Sequence, residues 1–68
     1  MDEIIFKVDE ELEGGYSASA LGFSIVTQGD TMEELKSNII DAIKCHFEVD
    51  IPKVVRLHFV HHELFKVS

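Results

Sequence analysis

The chain predicts an α+β domain of two layers with element order β-β-β-α-β. Three features point to it: short segments of alternating apolar and polar residues in the first third, a capped amphipathic helix beginning near Thr31, and a further alternating segment after Pro52. Strands are expected over about 3–9, 15–21, 23–28 and 53–61, and the helix over about 32–48, all within one domain spanning residues 1–68.

In the first strand Ile4, Phe6 and Val8 fall on one side and Ile5, Lys7 and Asp9 on the other, the period of a half-buried strand. The acidic run Asp9 to Glu13 ends in Gly14-Gly15 and reads as a solvated hairpin loop. Tyr16, Ala18 and Ala20 then alternate with serines, so the second strand offers a small-residue face on which a helix can sit close. Gly22 marks a turn, and Phe23, Ile25 and Thr27 are expected to line the inner face of the third strand.

Gly29-Asp30 closes that strand, and Thr31 with Glu34 has the S/T-x-x-E spacing of a capping box. The Thr31 side chain is expected to accept from the Glu34 N–H, and the Glu34 carboxylate to reach back to the Thr31 N–H. Glu33 and Glu34 also sit at the positive end of the helix dipole. Along the helix, the apolar side chains occupy an arc about 160° wide, broader than the ~100° a surface helix needs. Ile40 and Phe47 lie on its flank and are expected to remain uncovered. Pro52 disfavours helical geometry at Ile51 and is expected to end the element. Val55, Leu57 and Phe59 alternate with Val54, Arg56 and His58 as a fourth strand, and Leu64, Phe65 and Val67 suggest an extra strand or a docked tail over 63–67.

Strands one and three of a meander run the same way, and a helical crossover brings strand four back parallel to them. The simplest sheet order is 3-2-1-4, mainly antiparallel, with the helix on one face. The other face would show Ile5, Leu21, Val26, Val54 and Val60 among polar residues, and so much exposed aliphatic surface invites a partner.

Size sharpens that expectation. Below roughly 70–80 residues an apolar core seldom yields more than about 3–5 kcal/mol of net stability. Cys45 is the only cysteine, which excludes a disulfide within the chain, and the four-ligand Cys/His zinc pattern is missing. Association with a second copy is the remaining supplement. The formal charge of −7 is unevenly spread: residues 1–50 hold twelve acids and three lysines, net −9, whereas residues 51–68 hold one acid and three bases, net +2. A surface so negative repels phosphate backbones, so direct nucleic-acid binding is not expected. With no basic leader and no apolar run near the ~20 residues of a membrane span, neither secretion nor membrane insertion is expected, and the cytoplasm is the default location.

Catalytic constellations are weak. His58 and His62 would share a strand face about 13 Å apart, four steps of ~3.3 Å, too far for one metal ion, and His61 would point to the other face. His46 lies in the apolar helix arc and reads as a partly buried core histidine. Cys45 falls on the polar side without a positioned base. The acids Asp9, Glu10, Glu11 and Glu13 cluster in a loop that nothing encloses, whereas acid–base chemistry needs convergence in a cleft. No cofactor or metal site is expected.

Taken in order, the acidic loop running into Gly14-Gly15-Tyr16-Ser17-Ala18, then Gly22, then Gly29-Asp30-Thr31-Met32-Glu33-Glu34-Leu35 with Asn38-Ile39, resembles the HicB-like antitoxin domain family over about residues 4–47. The resemblance implies a truncated ribonuclease-H-like sheet that has lost its active site, and a small basic toxin-like protein as a partner. Two departures matter. Ala20-Leu21-Gly22 stands where many members have Pro-Gly, and no operator-binding segment is expected beyond Ser68. The sequence therefore predicts a small non-enzymatic interaction domain that forms homo-oligomers, with Glu10, Glu11, Glu13, Ile40 and Phe47 as candidate partner surface. The rival is a residual metal-dependent nuclease of the same descent, which requires acidic side chains to converge at strand ends.

Overall fold

A computed structural model describes residues 1–61 and 63–68. Its elements are β1 (Glu3–Glu10), β2 (Tyr16–Ala20), β3 (Val26–Gly29), α1 (Met32–His46) and β4 (Val54–Val60). The strands make one sheet in the order β3-β2-β1-β4. β1 and β2, and β2 and β3, pair antiparallel, while β4 runs parallel to β1. This is the α+β arrangement and strand order expected from the alternation and the crossover.

The core forms where the inner sheet face meets α1. Ile4, Phe6 and Val8 of β1 are buried, as is Ala18 of β2, and Leu35, Ile39 and Ile43 close over them from the helix. The register aligns the inner side chains: Phe6 stands between Ala20 and Leu57, and Val8 between Ala18 and Phe59. No side-chain nitrogen or oxygen among the described residues is buried without a hydrogen-bond partner.

The helix begins where the capping spacing places it. The Glu34 N–H donates to Thr31 Oγ1 at 3.1 Å. The reciprocal contact differs by one residue, because the Glu34 carboxylate accepts from the Asp30 N–H at 3.3 Å rather than from Thr31. Gly29 has a tighter role than punctuation. A Cβ built on it would lie 2.5 Å from the Leu35 nitrogen and 2.8 Å from the Leu35 Cα, so only glycine lets α1 approach β3 this closely. Asn38 fastens the pair by donating from Nδ2 to the Gln28 carbonyl oxygen at 2.7 Å.

Several boundaries are corrected. The third strand starts at Val26, not at 23, because residues 21–25 form a tight connection in which Gly22 takes φ +86° and the Ala20 N–H donates to the Ile25 carbonyl at 2.9 Å. Ile25 is still buried, but from that connection rather than from a ladder position. The helix ends at His46, before the residues next to Pro52. Phe47 turns to extended geometry, with its N–H donating to the Ile43 carbonyl at 2.9 Å, and its ring packs edge-on to Phe23 with centroids 5.2 Å apart. The tail over 63–67 neither forms a strand nor docks on its own chain. Leu64, Phe65 and Val67 are 100%, 77% and 94% exposed. A strand folding back on β4 needs a tight reversal, and His61-His62-Glu63 contains none of the Gly, Pro, Asn or Asp that make one.

Two substitutions test how the helix is seated. Gly29→Ala should destabilise by about 1–3 kcal/mol, the cost of overpacking a close contact, read as a lower urea midpoint with unchanged slope. Thr31→Ala should cost about 0.5–2 kcal/mol, the range for a lost N-cap, and Thr31→Ser should restore most of it. An unchanged midpoint in either alanine variant contradicts the corresponding contact.

Candidate protein-interaction surface

The acidic hairpin is built by its glycines. Gly14 and Gly15 adopt φ +103° and +85°, and the turn closes through the Gly14 N–H to the Glu11 carbonyl at 3.0 Å and the Glu11 N–H to the Gly15 carbonyl at 2.9 Å. This holds Glu10, Glu11 and Glu13 at one end of the sheet, all exposed. The three are not equivalent, since the Glu11 carboxylate accepts from Ser17 Oγ at 2.8 Å. Just before them Asp9 is half-buried, 3.8 Å from the Lys7 ammonium. At the loop tip Leu12 is fully exposed among the acids, a feature the sequence reading passed over.

Because β4 is parallel to β1, both strands finish at this end of the sheet. An open depression of about 760 Å³ lies there, in which Asp9, Glu10 and Leu12 face Val60, His61 and Leu64. It joins the most acidic part of the chain to the least acidic.

Ile40 and Phe47, paired by the helical pattern, belong to different surroundings. Ile40 is 48% exposed on the rim of a groove of about 200 Å³ between α1 and β4, with Lys36, Ile39, Val55 and Leu57. Phe47 is half-buried against Phe23. His46, expected to be partly buried in the core, is instead exposed, its ring packed edge-on with centroids 4.9 Å from Phe47 and 6.0 Å from Phe23. His46 is the last residue of α1, where the sheet no longer lies beneath the helix, so its ring meets the two phenylalanines.

The groove arises from where α1 sits. The helix lies over β3 and β2, leaving Val55 and Leu57 half-buried and Phe59 49% exposed on the core-facing side of β4. On the opposite face Leu21, Val26 and Val54 are exposed, and Ile5 and Val60 half-buried. The width of the apolar helix arc was the signal for uncovered surface, but not for its position along β4.

Cys45, His58 and His61 are exposed; the expectation for His62 lies outside the described residues. Among the described residues no three His, Cys, Asp or Glu side chains come together as they would to hold a metal ion, and no helix is long and apolar enough to cross a membrane. What this geometry presents is an acidic, leucine-tipped hairpin beside a partly open apolar strand.

No family model matches the chain, and no solved structure matches it. Two relatives do. A UPF0150 protein of Thermotoga maritima is 50% identical over 58 residues, covering 85% of this chain and 83% of the relative. A UPF0150 protein of Archaeoglobus fulgidus is 54% identical over 48 residues, covering 71% of each. At this identity and coverage, the chain belongs to the UPF0150 protein family.

Proposed function

We propose that this protein is a non-enzymatic interaction module of HicB-like, antitoxin-type or orphan character, acting in the cytoplasm by self-association and by binding a basic, toxin-like protein. The observation that carries this is the balance of apolar side chains. Among the described residues eight apolar residues are buried, one of them an alanine, while eleven large apolar residues are exposed. A monomer of this size gains little from so small a core, and contiguous exposed apolar surface is characteristic of interaction sites. The order and spacing of the hairpin, turn and capping residues support the antitoxin-type resemblance.

Charge supports a second contact. With net −9 over residues 1–50, the hairpin acids present a field that draws a basic protein and accelerates its encounter. Glu10 at the end of β1 and Glu13 in the turn are exposed, and Leu12 adds an apolar anchor between acids.

Self-association is tested by sedimentation equilibrium at micromolar concentration. A dimer or larger species is expected, and a folded 7.7 kDa monomer contradicts it. For the basic partner, the tagged protein is used as bait and the associated protein identified by mass spectrometry. Its association rate should fall as salt rises, because screening shortens the reach of exposed charges to about 10 Å at 0.1 M. Changing Glu10, Glu11 and Glu13 together to glutamine should flatten that dependence while leaving the denaturation midpoint nearly unchanged, since exposed charges contribute little to stability. A rate indifferent to both salt and the triple change rejects the acidic hairpin as the docking site.

A further inference from the structure

Resting on the self-association reading, we propose the surface and the occupant: residues 63–67 of one copy add as a strand to the free edge of β4 in a second copy, reciprocally and antiparallel about a two-fold axis. β4 is the edge of the sheet and among the described residues pairs only with β1, so its outer row of N–H and C=O groups is available to another strand. The segment that follows it carries Leu64, Phe65 and Val67, all exposed and none docked on its own chain. The long axis of 54 Å, about twice the ~26 Å span of an eight-residue strand, matches a chain end that lies off the body.

A two-fold axis normal to the sheet restricts the register, because opposing residues must share a face. One such register places Phe65 opposite Phe59, Val67 opposite Leu57 and Leu64 opposite Val60. Leu57 and Phe59 face the core side, since they pair with Phe6 and Val8, so Phe65 and Val67 of the second copy would cover the side of β4 that α1 leaves open. The same register sets Glu63, the one acid in residues 51–68, opposite His61. Lys66 meets His58 on the outer, solvated face. A shift of two residues in one direction sets Glu63 against Phe59 and Lys66 against Arg56. The opposite shift sets Glu63 against its own symmetry mate. Apolar matching and charge complementarity thus favour one alignment.

Charge also selects this edge over others. Two chains of −7 must meet where they bring fewest acids together, and the β4 side carries net +2 over residues 51–68.

Cross-linking between two separately made proteins tests the alignment. Phe59→Cys in a Cys45→Ser background is mixed with Phe65→Cys in the same background under mild oxidation. Directly opposed antiparallel residues have Cα atoms about 4.5–5.5 Å apart, inside the ~4.4–6.8 Å that a disulfide spans, so a mixed disulfide should form and be identified by mass spectrometry. Leu57→Cys with Phe65→Cys, a diagonal pair about 7–8 Å apart, should cross-link poorly. The triple variant Leu64→Ser/Phe65→Ser/Val67→Ser should raise the dimer dissociation constant at least tenfold while its circular dichroism stays unchanged. A dimer that keeps its affinity in the triple variant, or that cross-links 57 to 65 in preference, overturns this exchange and leaves self-association standing. A monomeric wild-type protein overturns both.

Discussion

The structure depends on a backbone contact between Gly29 and the first turns of α1. With no Cβ at residue 29, the Leu35 backbone can settle directly on the end of β3. Thr31, two residues later, already caps the helix, so strand end, turn and helix start form one rigid corner. That corner sets the path of α1 over β3 and β2 and delivers Leu35, Ile39 and Ile43 onto Phe6, Val8 and Ala18. Its consequence lies on the far side of the sheet. A single helix held over one edge cannot cover four strands, and β4 is left with Phe59 half in water and Ile40 above an open groove.

Polar contacts reinforce this frame without replacing apolar burial. Arg56 pairs with Glu3 across the β1–β4 boundary, and the N-terminal amine pairs with Asp50 in the connection between α1 and β4, a residue held at φ +54°. Exposed ion pairs of this kind contribute roughly 0–1 kcal/mol each, whereas a fully buried Leu, Ile or Phe contributes about 1.5–3 kcal/mol. The apolar side chains left outside therefore represent more potential stabilisation than the surface charges supply, which is the physical basis for expecting a partner.

Features governed by local chemistry were legible in the sequence. Alternation located the first, second and fourth strands and the existence but not the start of the third, the Thr31–Glu34 spacing located the helix start, and connectivity with crossover geometry yielded the sheet order. Features governed by packing between distant residues were not. Phe47, outside the helix, packs against the ring of Phe23, and helical periodicity carries no knowledge of Phe23. Gly29 reads as a turn residue until the Leu35 backbone is placed beside it. The apolar content of the tail suggests a further strand or a docked segment, but composition alone does not show what it packs against. Of the candidate surface, the exposure of Glu10, Glu11, Glu13 and Ile40 follows from local pattern, whereas the separation of Ile40 from Phe47 and the open side of β4 follow from where α1 is seated.

Parallel pairing of β1 with β4 places the acidic hairpin and the end of β4 at the same end of the molecule. Under the proposed strand exchange the two-fold axis would pass near that end, with a hairpin on each side. The hairpins would be separated by about three strand spacings, roughly 14 Å. That exceeds the ~8 Å Debye length at physiological ionic strength, so their mutual repulsion would be largely screened. A basic partner lying across the exchanged strands would nonetheless meet acids from both copies, and two converging negative patches attract an approaching cation more strongly than one. Under that exchange the charge asymmetry of the chain would have a single physical sense: the nearly acid-free segment would form the seam between copies, and the hairpin acids would lie at its flanks.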